Sequence, residues 1–174
     1  MLRGYREVWY GLAAIAAITA LYAVAYWQAG AFPAAYGLVG HGIGIAGFVL
    51  MLMSETLYSI RKQRTDARWG SMASWLRFHI FTGLVGPYMV FLHTSMRFQG
   101  VAGAAMLLTV VVVGSGVVGR YIYTAVPRVD DPLLAATRGA LATWRSIHVP
   151  LTWVLFSVAA VHSVAALYYV TLQP

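Results

Sequence analysis

Long runs of apolar residues, separated by shorter polar stretches, divide this chain into five segments. A transmembrane helix needs about 20 consecutive, mostly apolar residues. The runs at 9–28, 37–60, 75–97, 102–124 and 147–170 meet that length. The pattern therefore predicts an all-α integral membrane bundle of about five transmembrane helices, with residues 1–174 forming a single domain.

A polar stretch before the last apolar run carries a helix pattern of its own. Asp130, Asp131 and Pro132 form a typical helix start, and apolar positions follow at helical spacing up to Trp144. We therefore expect a short helix near 132–144, lying on the membrane surface.

The first apolar run has two interpretations. Arg3 and Arg6 followed by an alanine-rich segment can imitate a cleaved secretory signal peptide. However, the run from Trp9 to Trp27 is long enough to cross a bilayer, and aromatic residues at both ends are typical of interfacial anchors. We favour a retained transmembrane helix.

Composition supports a membrane protein and excludes several cofactors. The chain is 60% hydrophobic and 10% charged, with a mean hydropathy of +0.71, which does not suit a soluble globule. It has no cysteine. This excludes disulfides, thiolate-bound metals, iron-sulfur clusters held by this chain and covalent c-type haem attachment.

The net charge of +7 reflects membrane topology rather than nucleic-acid binding, because the basic residues lie between the apolar runs. Of the 12 basic residues, only Arg97 falls on the predicted outer side. Under the positive-inside rule this distribution places the N-terminus in the cytoplasm and the C-terminus outside a cell (inner) membrane. The residues on the predicted inner side are Arg3, Arg6, Arg61, Lys62, Arg64, Arg68, Arg77, Arg120, Arg128, Arg138 and Arg145.

Four histidines repeat one spacing on two predicted helices. His79 and His93 are 14 residues apart on the third, and His148 and His162 are 14 apart on the fifth. Fourteen residues of α-helix rise about 21 Å and turn about 1,400°, which is about 40° short of four full turns. Both histidines of each helix are therefore predicted to share a face.

The third and fifth helices run in the same direction, so side by side they would bring the histidines together in two level pairs. His79 would pair with His148 near the inner surface, and His93 with His162 toward the outer surface. Zinc and copper usually take three or four protein ligands, whereas two opposed imidazoles suit the axial positions of a haem iron. We expect two b-type haems and electron transfer. The alternative is that the histidines are hydrogen-bonded packing residues, although ionisable groups inside a membrane are usually functional.

Twin helices with this histidine spacing resemble the dihaem core of respiratory cytochromes b. Their place on the third and fifth helices is similar to the ferric-reductase-like transmembrane domain shared with NADPH oxidases. The resemblance covers helices two to five and implies one histidine from each helix per haem. The chain differs from the reductases in having five predicted crossings rather than six and no flavin or nicotinamide domain after its last residue.

Four residues near the histidines are candidate haem contacts. Gly86 lies seven residues from both His79 and His93, so it either gives the macrocycle clearance or packs against another helix. Haem propionates are anionic and favour arginine, which makes Arg77, Arg145 and Arg97 candidate partners. For Arg97 the alternative is a side chain that extends to the membrane interface.

His41 begins the second predicted helix on the outer side, near the expected depth of His93. Three roles stay open for it: alternative ligand of the outer haem, proton-handling residue at a quinone site, or packing residue.

The sequence therefore predicts a dihaem cytochrome b subunit of a larger redox complex. Iron-sulfur, flavin or cytochrome c proteins, or membrane quinone, would exchange electrons with it. One alternative is a quinol or ferric reductase with its site at the outer haem, including His41 and Arg97. A second is a non-redox or pigment-binding helical scaffold subunit.

Overall fold

A computed structural model describes residues 6–64, 69–125 and 131–172. Each helix in these ranges is long and apolar enough to cross a bilayer. The prediction of an all-α, multi-pass membrane protein with five such helices is confirmed for this part of the chain. In chain order the helices are α1 (Arg6–Ala29), α2 (Leu38–Gln63), α3 (Met72–His93), α4 (Gly100–Ala125) and α5 (Asp131–Leu172).

The helices expose large apolar side chains that water would not favour. Leu21 on α1 is 72% exposed, and Val164 on α5 is 66% exposed. Lipid tails can cover such side chains at no cost, and the helices satisfy their own backbone hydrogen bonds. The exposure therefore agrees with a bilayer as the solvent.

The chain forms two compact units, one up to Arg97 and the other from Phe98 onward. In the first unit α3 packs against both α1 and α2. In the second unit α4 packs against α5.

Small residues allow α2 and α3 to approach closely. A Cβ atom added at Gly86 would lie 2.9 Å from the carbonyl oxygen of Gly47 and 3.0 Å from Cγ of Met51. Real Cβ contacts are almost never this short. The two backbones therefore touch at a position that only glycine fills, which is the small-residue packing expected inside membranes.

Helix α1 is joined to α3 by hydrogen bonds as well as by apolar packing. The hydroxyl oxygens of Thr19 and Tyr88 are 2.6 Å apart, and the Tyr22 hydroxyl donates to the carbonyl oxygen of Leu92 over 3.3 Å. These contacts favour the interpretation of the first apolar run as a helix of the folded protein.

Helix α3 ends at His93, four residues before the predicted end of the third run at 97. Ser95 and Met96 have φ values of 49° and 61°, in the left-handed region that stops an α-helix. The Ser95 hydroxyl donates to the carbonyl oxygen of Pro33 over 2.6 Å, which holds this turn against the segment before α2. His93 is therefore the last residue of its helix.

The helix start predicted around Asp131 is found, because α5 begins at that residue. However, α5 continues for 42 residues to Leu172, so the separate surface helix predicted at 132–144 is instead its first part. A helix of this length is about 63 Å long, about twice the thickness of the hydrocarbon core. The part that carries Arg138 and Arg145 is the part best suited to extend beyond the hydrocarbon, because charged groups are costly inside it.

Candidate functional site

The imidazole rings of His79 and His93 both hydrogen-bond to α2 through Nδ1. Nδ1 of His79 lies 3.1 Å from the carbonyl oxygen of Ser54 and 3.0 Å from its Oγ atom. Nδ1 of His93 lies 2.8 Å from the carbonyl oxygen of Gly40. A carbonyl oxygen only accepts hydrogen bonds, so Nδ1 carries the proton in both rings. In the neutral imidazole the unprotonated nitrogen is then Nε2, the atom with a lone pair for a metal.

The two acceptors on α2 repeat the spacing of the histidines. Gly40 and Ser54 are 14 residues apart, as are His79 and His93. Because α2 and α3 run antiparallel and share this spacing, a single alignment of the two helices gives both histidines a hydrogen-bond acceptor on α2. The prediction that His79 and His93 share a face of their helix is confirmed, and the rings bond to α2 from that face.

Gly44 leaves room for the His93 ring. A Cβ atom added there would lie 2.6 Å from Cγ and 2.7 Å from Nδ1 of His93. The ring therefore packs directly on the α2 backbone, within reach of the Gly40 carbonyl.

His148 on α5 is held in a similar way by α4. Its Nδ1 atom lies 2.6 Å from Oγ of Ser115, and the same hydroxyl donates to the carbonyl oxygen of Val112 over 2.8 Å. When the one hydroxyl proton of Ser115 is donated to Val112, its oxygen accepts from Nδ1 of His148. In that arrangement the lone pair of His148 is again at Nε2.

An aromatic side chain accompanies each of the two predicted inner histidines. The ring of Tyr58 lies 4.9 Å from that of His79, and the ring of Trp144 lies 4.8 Å from that of His148 at an interplanar angle of 24°. Trp144 also donates from Nε1 to the carbonyl oxygen of Ser115 over 2.6 Å. Each of these two histidines therefore contacts a serine and an aromatic side chain of its own unit.

His162 lies on α5, half-buried, 14 residues beyond His148. The predicted pairs, His79 with His148 and His93 with His162, join residues of the two units, so the pairing stays a prediction. Within residues 6–64, 69–125 and 131–172, no three His, Asp or Glu side chains form a group that could hold a metal ion.

Gly86 lies on the same face of α3 as the two histidines, as predicted, and it packs against Gly47 of α2. This contact by itself explains why the position is glycine. It favours the helix-packing alternative over clearance for a macrocycle.

The three arginine candidates for propionate contacts are all exposed. Arg77 lines a cleft shared with α1, and its Nη2 atom donates to Oγ of Ser74 over 3.1 Å. Arg97 lies in the turn after α3, four residues beyond His93, and Arg145 precedes His148 by three residues on α5. Arg97 and Arg145 lie three or four residues along the chain from a histidine, and Arg77, two residues before His79, also lines the cleft with α1.

His41 lies beside His93, with the two ring centroids 6.2 Å apart and an interplanar angle of 54°. The expectation that His41 lies near the depth of His93 is confirmed. Its proximity leaves all three predicted roles for His41 open.

Sequence reasoning missed the residues that orient the histidines, namely Gly40, Ser54 and Ser115. One signal was present for the first two, because they repeat the 14-residue spacing on the neighbouring helix. Ser115 offers no comparable signal, since it lies in a run of small residues that is equally typical of helix packing.

Comparisons with protein-family models, curated proteins and solved structures found no match. The resemblance to dihaem cytochromes b therefore depends on the histidine spacing.

Proposed function

We propose that this chain is a dihaem b-type cytochrome that carries electrons across a membrane as a subunit of a larger redox complex. In this proposal His79 and His148 bind the inner haem iron, and His93 and His162 bind the outer one. The observation that carries the proposal is the hydrogen bond at Nδ1 in His79, His93 and His148.

These hydrogen bonds fit the residues to a haem iron. Metal-binding histidines almost always donate their second ring N–H to an oxygen, which fixes the ring orientation and raises the basicity of the ligating nitrogen. Every hydrogen bond that the described residues make with the His79 and His93 rings is at Nδ1. Nε2 of each ring is then the nitrogen that could bind a metal ion, and a haem iron would bind there.

Electron transfer is the chemistry that four imidazole ligands favour. A bound b-type haem would supply one-electron chemistry, and two histidines would hold each iron, which favours electron transfer over binding of oxygen or a substrate. The role of the chain is then to hold the ligands, exclude water and place the propionates. Arg97 and Arg145, near His93 and His148, are the arginines that we assign to the propionates.

The proposal also assigns a membrane, an orientation of the chain and its electron-transfer partners. The charge bias supports a cell (inner) membrane with the N-terminus in the cytoplasm and the C-terminus outside. The electron donor and acceptor would be iron-sulfur, flavin or cytochrome c subunits, with membrane quinone as a further candidate for exchange with this chain.

Haem quantification of the purified chain tests the proposal. We expect a b-type reduced-minus-oxidised spectrum, two haems per polypeptide by the pyridine haemochrome assay and low-spin bis-imidazole signals by electron paramagnetic resonance. A chain purified from haem-replete cells without haem would overturn the proposal, and bound chlorophyll-type pigment would establish the scaffold alternative. NAD(P)H-driven reductase activity of the isolated chain would contradict its role as a subunit.

One observation favours a second candidate, a quinol or ferric reductase with its site at the outer haem. His41 lies 6.2 Å from His93 between ring centroids, and Arg97 is exposed in the turn after α3. Together they could bind a substrate next to the outer haem, with His41 accepting protons from a quinol. Replacement of His41 by alanine tests this candidate: loss of substrate turnover with both haems retained supports a reductase site that includes His41, and unchanged turnover with both haems retained argues against a role for His41.

A further inference from the structure

A cleft of about 530 Å³ opens between the first turns of α1 and the first half of α3. Its volume is in the range of small-molecule sites, about 300–1,000 Å³. All of its residues belong to the first unit, and they lie toward the N-terminal ends of the two helices. They are Arg6, Glu7, Tyr10, Arg77, Phe78 and Phe81.

Two exposed guanidinium groups give the cleft a positive charge. Arg6 donates from Nη2 to the Tyr10 hydroxyl over 3.0 Å, and its guanidinium lies 5.8 Å from the centre of the Tyr10 ring. Arg77, on the other helix, donates to Ser74. Glu7 is 4% exposed and is the one acidic residue among the lining residues that the structure describes. Two positive charges against one negative charge favour an anionic ligand.

The rest of the lining is aromatic and apolar. Phe78 and Phe81 lie on α3 at helical spacing, and they are half-buried. A ligand that fits this lining carries a negative group for the arginines and an apolar part for the rings. Basic pockets between transmembrane helices are known sites for anionic lipid head groups.

We propose that this cleft binds an anionic phospholipid, with its phosphate between Arg6 and Arg77 and its acyl chains against the phenylalanine rings. The cleft lies at the ends of two helices that are long and apolar enough to cross a bilayer, where lipid is the most abundant amphiphile. Guanidinium groups bind phosphate through paired, charge-assisted hydrogen bonds. A free phosphate ion would use the same two arginines but gain nothing from the rings.

Native mass spectrometry of the full chain in a non-ionic detergent tests the proposal, with phosphatidylglycerol and phosphatidylcholine of identical acyl chains as probes. We expect phosphatidylglycerol to bind more tightly. Arg6→Gln and Arg77→Gln should each lower its affinity about fivefold, because each basic residue near an anionic lipid surface strengthens binding by about that factor. The double variant should lower the affinity about 25-fold. Equal binding of the two lipids by the unaltered chain would overturn the proposal.

Three controls separate this site from general effects. Arg138→Gln removes an exposed arginine of the second unit and should leave phosphatidylglycerol affinity unchanged. Arg6→Lys with Arg77→Lys keeps the charge and should keep most of the affinity, and circular dichroism checks that each variant stays helical. An equal loss of phosphatidylglycerol affinity in Arg138→Gln would contradict a lipid site. Displacement of the lipid by millimolar inorganic phosphate would contradict it as well. None of these measurements depends on haem, so their outcome is separate from that of the proposed function.

Discussion

The carbonyl oxygen of Gly40 lies 2.8 Å from Nδ1 of His93. The same contact recurs 14 residues away along α2, where the carbonyl oxygen of Ser54 lies 3.1 Å from Nδ1 of His79. Equal spacing on two antiparallel helices makes α2 an orienting surface for both histidines of α3. A one-residue shift between the helices would disturb both contacts together, so the packing of α2 on α3 and the orientation of the candidate ligands are coupled.

The space at Gly44 is the first test of this coupling. A Cβ atom there would meet Cγ of His93 at 2.6 Å, so Gly44→Ala should displace the ring from Gly40 and lower the occupancy of the outer haem. Such overpacking usually costs about 1–3 kcal/mol. Gly42→Ala is the matched control, because nothing lies within 4 Å of a Cβ atom at that position. Haem content and thermal stability in detergent should fall in Gly44→Ala and stay near those of the unaltered chain in Gly42→Ala.

The two serines should differ in importance, because they hold their histidines with different atoms. Ser115→Ala removes the hydroxyl oxygen that accepts from Nδ1 of His148. Ser54→Ala leaves the backbone carbonyl oxygen that accepts from His79.

We therefore expect Ser115→Ala to weaken haem binding by about 10–100-fold, the usual effect of losing a partner that orients a metal-binding histidine. Ser54→Ala should have a smaller effect. Haem titration of the apoprotein variants measures the difference. Equal losses in the two variants would show that the hydroxyls do not act through the histidine rings.

The sequence predicts those features that depend on one helix at a time. Five helices follow from apolar runs long enough to cross a bilayer, and the shared face of His79 and His93 follows from a 14-residue spacing. Hydrogen-bond partners of the histidines, such as Ser54 and Ser115, depend on how two helices are aligned with each other. The residue pattern within one helix does not specify that alignment.

Two helix boundaries differ from those that the sequence predicts. Helix α3 ends at His93 because the chain turns through left-handed conformations at Ser95 and Met96, and the Ser95 hydroxyl bonds to Pro33. Helix α5 has no break between 144 and 147, and Trp144 packs over α4 with its indole nitrogen bonded to Ser115. The apolar and polar pattern contains neither contact.

The close approach of α2 and α3 at Gly47 and Gly86 gives a stability prediction. Gly86→Ala would place Cβ 2.9 Å from the Gly47 carbonyl oxygen, which is backbone and cannot move aside cheaply. We expect a loss of about 1–3 kcal/mol and a lower thermal midpoint in detergent.

Gly114→Ala on α4 provides the comparison for this substitution. Nothing lies within 4 Å of a Cβ atom there, and alanine is a better helix former than glycine by about 1 kcal/mol. Gly114→Ala should be neutral or stabilising. A stable Gly86→Ala variant would contradict the close backbone contact and reopen the clearance role for this glycine.

The pairing of histidines between α3 and α5 can be tested by counting haems in double variants. If His79 and His148 bind the same iron, removing both should cost one haem, the same as removing either. Removing His79 and His93 together should cost both haems, because each belongs to a different site. Single replacement of His93 or His148 by alanine should remove about one haem, since each iron then lacks one of its two imidazoles.

His41→Ala is the control for these counts, because His41 lies beside His93 yet is not one of the four proposed ligands. It should keep two haems per chain by the pyridine haemochrome assay. If it loses the outer haem while His93→Ala keeps it, His41 is the ligand and the assignment of His93 is wrong. If the double variant of His79 and His148 loses both haems while each single variant loses one, the two residues bind different irons, and the level pairs of the proposal do not exist.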